Sequence, residues 1–333
     1  MGVAIDDGMI IDFHNHFFPK AYLEAISAET TRASTTTDAQ GNLLIVTDGD
    51  YSIIVEEHHN PAARVAAMDA AGCDMQVLTI TVPSVHSEKS AEGIRLAQIV
   101  NDGLADACAQ FPNRFCALAA LPLQNPAASV IELERTVTQA NLRGGLLFSH
   151  INGDNLDNPK FWPLYEKACE LDVPLFIHPI IPAHIGALRD YRLVALEGFL
   201  FDTSLALSRL IYSGVLERFP QLQLVAAHLG GTLPFLSERM DRGFAVYPEC
   251  RQHISQPPST YLRRIFMDTF PHSQQATQFA IDFAGADKIL MGSDYPHQIG
   301  DLAGGISTIT DLAISDTDKA LILGGNANRL LKL

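Results

Sequence analysis

Eight short apolar runs recur along this chain, each followed by a stretch with helical periodicity, and that alternation narrows the folds open to it more than any other feature. The runs occupy 10–16, 75–81, 115–121, 145–148, 174–178, 222–227, 265–268 and 288–291. Amphipathic segments follow at 90–110, 126–140, 159–171, 197–218, 232–242, 273–283 and 302–323. Strands alternating with helices of this length form parallel βαβ units. Eight such units in 333 residues predict an α/β fold, a closed (β/α)8 barrel of the TIM type, as one domain over 1–333. An open doubly wound sheet is the alternative, but no Gly-x-Gly-x-x-Gly follows the first run.

The rhythm is interrupted once, by an insertion at about 17–60 between the first strand and the first regular helix. It holds a helical stretch at 21–28, a tract rich in Thr, Asp and Gly at 30–50, and a strand at 51–55. Asn60-Pro61 is a strong helix start, and Gly72 closes the helix predicted over 62–70. Residues 243–260, with Pro248, Pro257 and Pro258, read as the longest irregular connection.

Charge and cysteine usage restrict the partners. Lys plus Arg number 23 against 38 Asp plus Glu, a net charge of −15 with no basic block, so nucleic acid and anionic membrane surfaces are poor partners. No uncharged apolar run is long enough to span a bilayer, and Met1 to Asp7 lacks the pattern of a signal peptide. Cys73, Cys108, Cys116, Cys169 and Cys250 are scattered without a Cys-x-x-Cys, which fits a reducing cytoplasm.

A barrel assembles its active site at the C-terminal ends of its strands, so polar residues there carry the most information. The first run ends His14-Asn15-His16, and alternate strand residues project together, which is a metal-ligand arrangement. His178 ends the fifth run, His228 the sixth, and Gly292-Ser293-Asp294 the eighth. One such histidine is ordinarily a satisfied core or loop residue. Five polar residues at corresponding positions converge on one mouth. His14, His16, His178 and Asp294 then make a mixed nitrogen and oxygen shell of the catalytic type for one divalent ion, zinc first, with Mn, Fe or Co as alternatives. His228 sits beside it as proton carrier, and Asp294 can share that work.

These residues stand in Ile11-Asp12-Phe13-His14-Asn15-His16, Phe176-Ile177-His178-Pro179, Ala227-His228-Leu229-Gly230-Gly231 after Phe219-Pro220, and Gly292-Ser293-Asp294-Tyr295-Pro296, with Met68-Asp69 and Gly72 ahead of the second strand. The set, running from Ile10 to Leu331, resembles the amidohydrolase superfamily and, within it, the decarboxylase branch. The resemblance implies the same four metal ligands, His228 as acid/base, and a homodimer. It also implies non-oxidative decarboxylation of a small hydroxylated aromatic, heteroaromatic or dienoic carboxylic acid. Many superfamily members bind two metals through a carboxylated lysine ending the fourth strand. Here that strand ends Leu146-Leu147-Phe148-Ser149-His150 and the seven lysines lie elsewhere, so a single ion is expected.

Two arginines that hold substrate carboxylates in the branch's semialdehyde decarboxylase fall at Val55 and Tyr247, which cannot supply a bidentate cation. Arg239 stands where the family has an arginine that crosses the dimer interface, and is the candidate carboxylate contact. His297, His184, Phe270 and Tyr247 are further candidates for the substrate pocket, with His58, His59 and His272. Two other readings use the same residues: hydrolysis of a lactone or amide by metal-activated water, and a non-catalytic metal-binding scaffold. Carbon dioxide release without consumption of water separates the first from decarboxylation, and the effect of His228→Ala tests the second.

Overall fold

The computed structural model describes residues 8–28, 34–47, 50–270 and 273–333. His272, part of the Thr-rich tract and the first seven residues lie outside them. The strands are β1 (Ile11–His16), β2 (Ser34–Thr37), β3 (Leu43–Thr47), β4 (Asp50–Ile54), β5 (Met75–Thr79), β6 (Phe115–Ala117), β7 (Ala119–Ala120), β8 (Gly145–Phe148), β9 (His150–Ile151), β10 (Asp154–Asn155), β11 (Leu175–His178), β12 (Leu224–Ala226), β13 (Phe266–Asp268) and β14 (Ile289–Leu290).

Two parallel sheets, β1-β5-β6 and β7-β8-β11-β12-β13-β14, make the wall of a barrel. They join at Leu118, where β6 and β7 are one stave. The Leu118 N–H bonds to Leu78 O at 3.1 Å on one side, and the Ala119 N–H to Gly144 O at 2.9 Å on the other. The remaining seam closes β14 onto β1, with Phe13 N–H donating to Met291 O at 2.9 Å and Ser293 N–H to His14 O at 3.0 Å. Every residue of β1, β5, β8 and β11 is buried, as expected for parallel strands covered by helices. The helix Ser90–Gln110 shows how they are covered: it buries Leu96, Val100, Leu104 and Ala107, one face at helical spacing.

Several boundaries differ from the sequence reading. The helix expected over 197–218 begins with a π turn at Val194–Gly198, runs Phe199–Tyr212, and breaks at Gly214, whose φ of +80° only glycine adopts readily. The segment 302–323 divides into Leu302–Thr310, Asp316–Ala320 and a π turn, Leu321–Gly325. The irregular connection at 243–260 is largely ordered: helix Leu233–Val246 continues past Gly243, and short helical turns follow at Pro248–Arg251 and Pro258–Leu262. In the insertion, β2, β3 and β4 form an antiparallel sheet after the helix Lys20–Ala28. Ile45 and Ile54 are buried and join that sheet to the barrel core. No described helix is long and apolar enough to cross a membrane.

Candidate metal centre

The alternation of β1 turns His14 and His16 toward one point, where both side chains are fully buried and their Nε2 atoms lie 3.2 Å apart. Asp294 reaches the same point from beyond β14. Its N–H bonds to His14 O at 2.8 Å, its φ is +54°, and its Oδ1 lies 2.8 Å from His16 Nε2 and 3.5 Å from His14 Nε2. His178, the last residue of β11, brings its ring to 5.1 Å from that of His14 and 4.9 Å from that of His16, centroid to centroid. Ligand atoms of His14, His178, His228 and Asp294 all lie within 4.8 Å of one another. The structure thus brings together all five strand-end residues singled out in the sequence.

The outer ring nitrogens decide what the inner ones can do. His14 Nδ1 lies 2.8 Å from Asp268 Oδ2, and His178 Nδ1 lies 2.7 Å from Pro179 O. Both partners are acceptors, so Nδ1 carries the proton in each ring, and a neutral ring then aims its Nε2 lone pair inward. Burial opposes charge on His14, but Asp268 and Asp294 outweigh it and raise the imidazole to about 9. Burial and neighbouring histidines push His16 and His178 well below the ordinary range. Burial likewise raises the Asp294 carboxyl to about 7, with His14 working against it. Burial thus holds His16 and His178 neutral with lone pairs available beside the Asp294 carboxyl, and this mixed nitrogen and oxygen donor set fits a divalent cation.

Asp268 was not singled out from sequence, although it ends the seventh strand at the position equivalent to His178. It is fully buried, and its Oδ1 accepts the backbone N–H of His228 at 3.1 Å and of Phe270 at 3.2 Å. One carboxylate thus sets the His14 tautomer and the backbone of the next polar residue. His228 adopts φ +57°, places its ring 5.1 Å from His14 and 5.5 Å from Phe270, and buries an Nδ1 with no hydrogen-bond partner among the described residues. Burial, reinforced by His14, lowers its imidazole to about 3, so it rests neutral.

Behind β1 a second buried network holds the strand in place. Asp12 Oδ2 accepts from Gln76 Nε2 at 2.8 Å and Ser293 Oγ at 2.6 Å. Arg64, fully buried, donates to Asn15 Oδ1 at 3.2 Å, Gln76 Oε1 at 3.0 Å, Glu57 O at 2.8 Å and His16 O. Gly292 lets the eighth strand approach: a Cβ there would lie 2.8 Å from His14 Cβ and 3.0 Å from Asp268 Cβ.

The centre opens into a cavity of about 600 Å³ whose lining includes His178, His228, Asp294, Phe270 and His297. The His297 ring lies 4.7 Å from that of His16, tilted by 36°, and its Nδ1 lies 3.3 Å from His58 Nε2. Other expected substrate contacts fall elsewhere. His184 is exposed in the turn before Gly186–Leu188, and Tyr247 is 60% exposed just beyond the helix Leu233–Val246; neither lines the cavity. Arg239 is on the exposed side of that helix and does not reach the cavity of its own chain. The cavity cation is instead Arg192, from the loop after β11.

A family model described as amidohydrolase matches residues 11–333. The chain is 31% identical over 328 residues to 2-amino-3-carboxymuconate-6-semialdehyde decarboxylase of Dictyostelium discoideum, covering 97% of this chain and 91% of that protein. It is 32% identical over 292 residues to γ-resorcylate decarboxylase of Rhizobium sp. (strain MTP-10005), covering 81% and 86%. It is also similar to the crystal structure of 5-carboxyvanillate decarboxylase from Novosphingobium aromaticivorans complexed with manganese and 4-hydroxy-3-methoxy-5-nitrobenzoic acid. There the TM-score is 0.83 at 25% identity, over 100% of this chain and 98% of that one.

Proposed function

From the premise that this chain belongs to the amidohydrolase family, we propose that its centre holds one divalent ion through His14, His16, His178 and Asp294, with zinc as resident metal and Mn, Fe or Co as alternatives. The protein is a metal-dependent non-oxidative decarboxylase, a carbon–carbon lyase, of a hydroxylated aromatic, heteroaromatic or dienoic carboxylic acid. The observation that carries the assignment is the pair of His Nε2 atoms 3.2 Å apart with Asp294 Oδ1 beside them, opening on a cavity of about 600 Å³.

When bound, the ion supplies Lewis-acid charge that holds and polarises the carboxylate and a neighbouring hydroxyl of the substrate. The chain's own residues do the rest. Phe270, packed on His228, gives the substrate ring an apolar surface and keeps water from it. His228, neutral at rest, takes up a proton from solvent once the anionic substrate lies beside it and delivers it, directly or through Asp294, to the carbon bearing the carboxylate, where a π pair of the substrate forms the new C–H bond. The C–C bond then breaks, its electron pair restores conjugation, and carbon dioxide leaves. The net change consumes one proton and no water.

Metal analysis of the purified protein, combined with carbon dioxide release over a panel of hydroxybenzoates and hydroxypicolinates, tests this. About one ion per chain and release from at least one acid are expected. Opening of lactones or amides with no carbon dioxide from any acid would replace decarboxylation by hydrolysis. His228→Ala should keep its ion and lose activity by roughly 10²-fold or more; unchanged activity would remove His228 from the mechanism.

The working unit is taken as a single barrel domain over 1–333, with the insertion at about 17–60, assembled as a homodimer in a reducing cytoplasm. Phe201, Leu205 and Phe235 are each more than half exposed, and Phe235 shares its helix with Arg239, which supports a second copy on this face. All five cysteines are free, in keeping with that compartment.

A further inference from the structure

We propose that Arg192 and Asp50 form a charge-neutral recognition pair on the wall of the cavity, selecting an uncharged hydroxyl on the substrate and rejecting a second carboxylate. The inference rests on the decarboxylase reading of the same site and names its substrate class: monocarboxylic acids bearing a further hydroxyl.

Arg192 is the only Lys or Arg among the described residues lining the cavity, and Asp50, at the start of β4, lines it too. The guanidinium carbon of Arg192 lies 4.1 Å from the centre of the Tyr51 ring, and its Nη2 donates to Tyr51 O at 3.1 Å. Two contacts to one residue hold the guanidinium plane in place. Nη1 lies 3.1 Å from Asp50 Oδ1, close enough to cancel its charge, yet this buried nitrogen makes no directed hydrogen bond. Asp50 Oδ1 already accepts the Tyr51 N–H at 2.8 Å, and among the described residues Oδ2 has no partner. The pair therefore leaves one donor and one acceptor side by side. A hydroxyl is the group that uses both at once.

A second carboxylate matches neither half of this arrangement. It cannot donate to Asp50, and it places negative charge beside a carboxylate on a wall otherwise built from side chains such as Ile53, Leu196 and Ile299. Backbone strain marks the same place: Tyr191 and Arg192 hold φ values of +58° and +61°, a conformation that non-glycine residues keep when the surroundings and function require it.

The test compares 2-hydroxybenzoates carrying hydrogen, hydroxyl or carboxylate at the 4 or the 5 position, with the metal-loaded wild type, Arg192→Met and Asp50→Asn. Carbon dioxide release and calorimetric binding are both measured, and metal content is checked in each variant. In the wild type the better hydroxyl isomer should exceed the hydrogen and carboxylate analogues by roughly tenfold or more in kcat/KM and in affinity. Arg192→Met should reduce the hydroxyl preference to about threefold or less, chiefly through KM. Asp50→Asn should raise the carboxylate analogue relative to the hydroxyl by roughly tenfold, because the cation is no longer neutralised. A wild-type preference for the dicarboxylate, or ratios unchanged in both variants, would overturn the proposal. If no acid releases carbon dioxide, the decarboxylase reading fails, and the binding ratios for the same acids still decide for or against the pair.

Discussion

Asp268→Asn separates the work of holding His14 from the work of filling space. Both oxygens of Asp268 are committed, Oδ2 to His14 Nδ1 at 2.8 Å and Oδ1 to two backbone N–H groups. Asparagine has the same volume but only one accepting oxygen. With that oxygen on the backbone, the amide nitrogen faces His14 Nδ1, and two donors meet. His14 must then move its proton to Nε2 and lose the lone pair aimed at the ion. Replacing an outer-shell partner weakens metal binding by about 10–100-fold, or roughly 1.4–2.7 kcal/mol. Turning the amide round would leave two buried N–H groups without an acceptor, at about 1–3 kcal/mol each, so the first arrangement wins. Competition for Zn²⁺ against a chelator should therefore show a 10–100-fold loss of affinity. At saturating ion the thermal stabilisation over the ion-free variant should shrink by the same energy. The ion-free variant is the proper reference because it too has lost the Asp268–His14 contact. Wild-type affinity in Asp268→Asn would refute the role given to this carboxylate.

Gly292→Ala should cost about 1–3 kcal/mol in denaturant unfolding and also weaken ion binding, because the new methyl meets the Cβ atoms of His14 and Asp268 rather than flexible side-chain ends. Unchanged ion affinity would show that the approach of these strands does not set the ligand geometry. Arg64→Met strips donors from three buried acceptors, Asn15 Oδ1, Gln76 Oε1 and His16 O, and from the part-buried Glu57 O, and should destabilise the protein by roughly 3 kcal/mol or more; a urea-unfolding loss under about 1 kcal/mol would be inconsistent with that accounting. Phe235→Glu, at a side chain 79% exposed, should leave the fold intact and shift the sedimentation coefficient from dimer to monomer. A coefficient unchanged at micromolar protein would place any partner surface elsewhere.

The barrel was legible because parallel strands covered on both faces must be apolar along their length, as β8 with Gly145–Phe148 and β11 with Leu175–His178 are. What escaped was structure that depends on a partner. Thr35, Thr36 and Thr37 lie in a Thr-, Asp- and Gly-rich tract whose composition names no element, yet β-branched residues suit a strand once β3 lies beside them, Thr35 opposite Ile45 and Thr36 opposite Leu44. The break at Gly214 was hidden for a related reason. A glycine inside a periodic apolar pattern reads as a tolerated residue until its φ of +80° is known.

The site divides along the same line. His14, His16, His178 and Asp294 are placed by strand alternation and by the register that closes the barrel, both of which leave a pattern in the sequence. Asp268 left the same pattern at the end of β13 and could have been found by asking which residue ends the seventh strand. Arg192 and Asp50 left none: they meet only because the loop after β11 packs against a sheet inserted far earlier in the chain. Loops of this kind can change their course while the strands keep theirs. It follows that substitutions at His14, His16, His178 or Asp294 should abolish ion binding and turnover together, whereas substitutions at Arg192 or Asp50 should alter which acid is accepted while the ion stays in place. A variant of Arg192 that lost its metal would show that the substrate wall and the metal shell are one structural unit, and specificity could not then have been set by the loops alone.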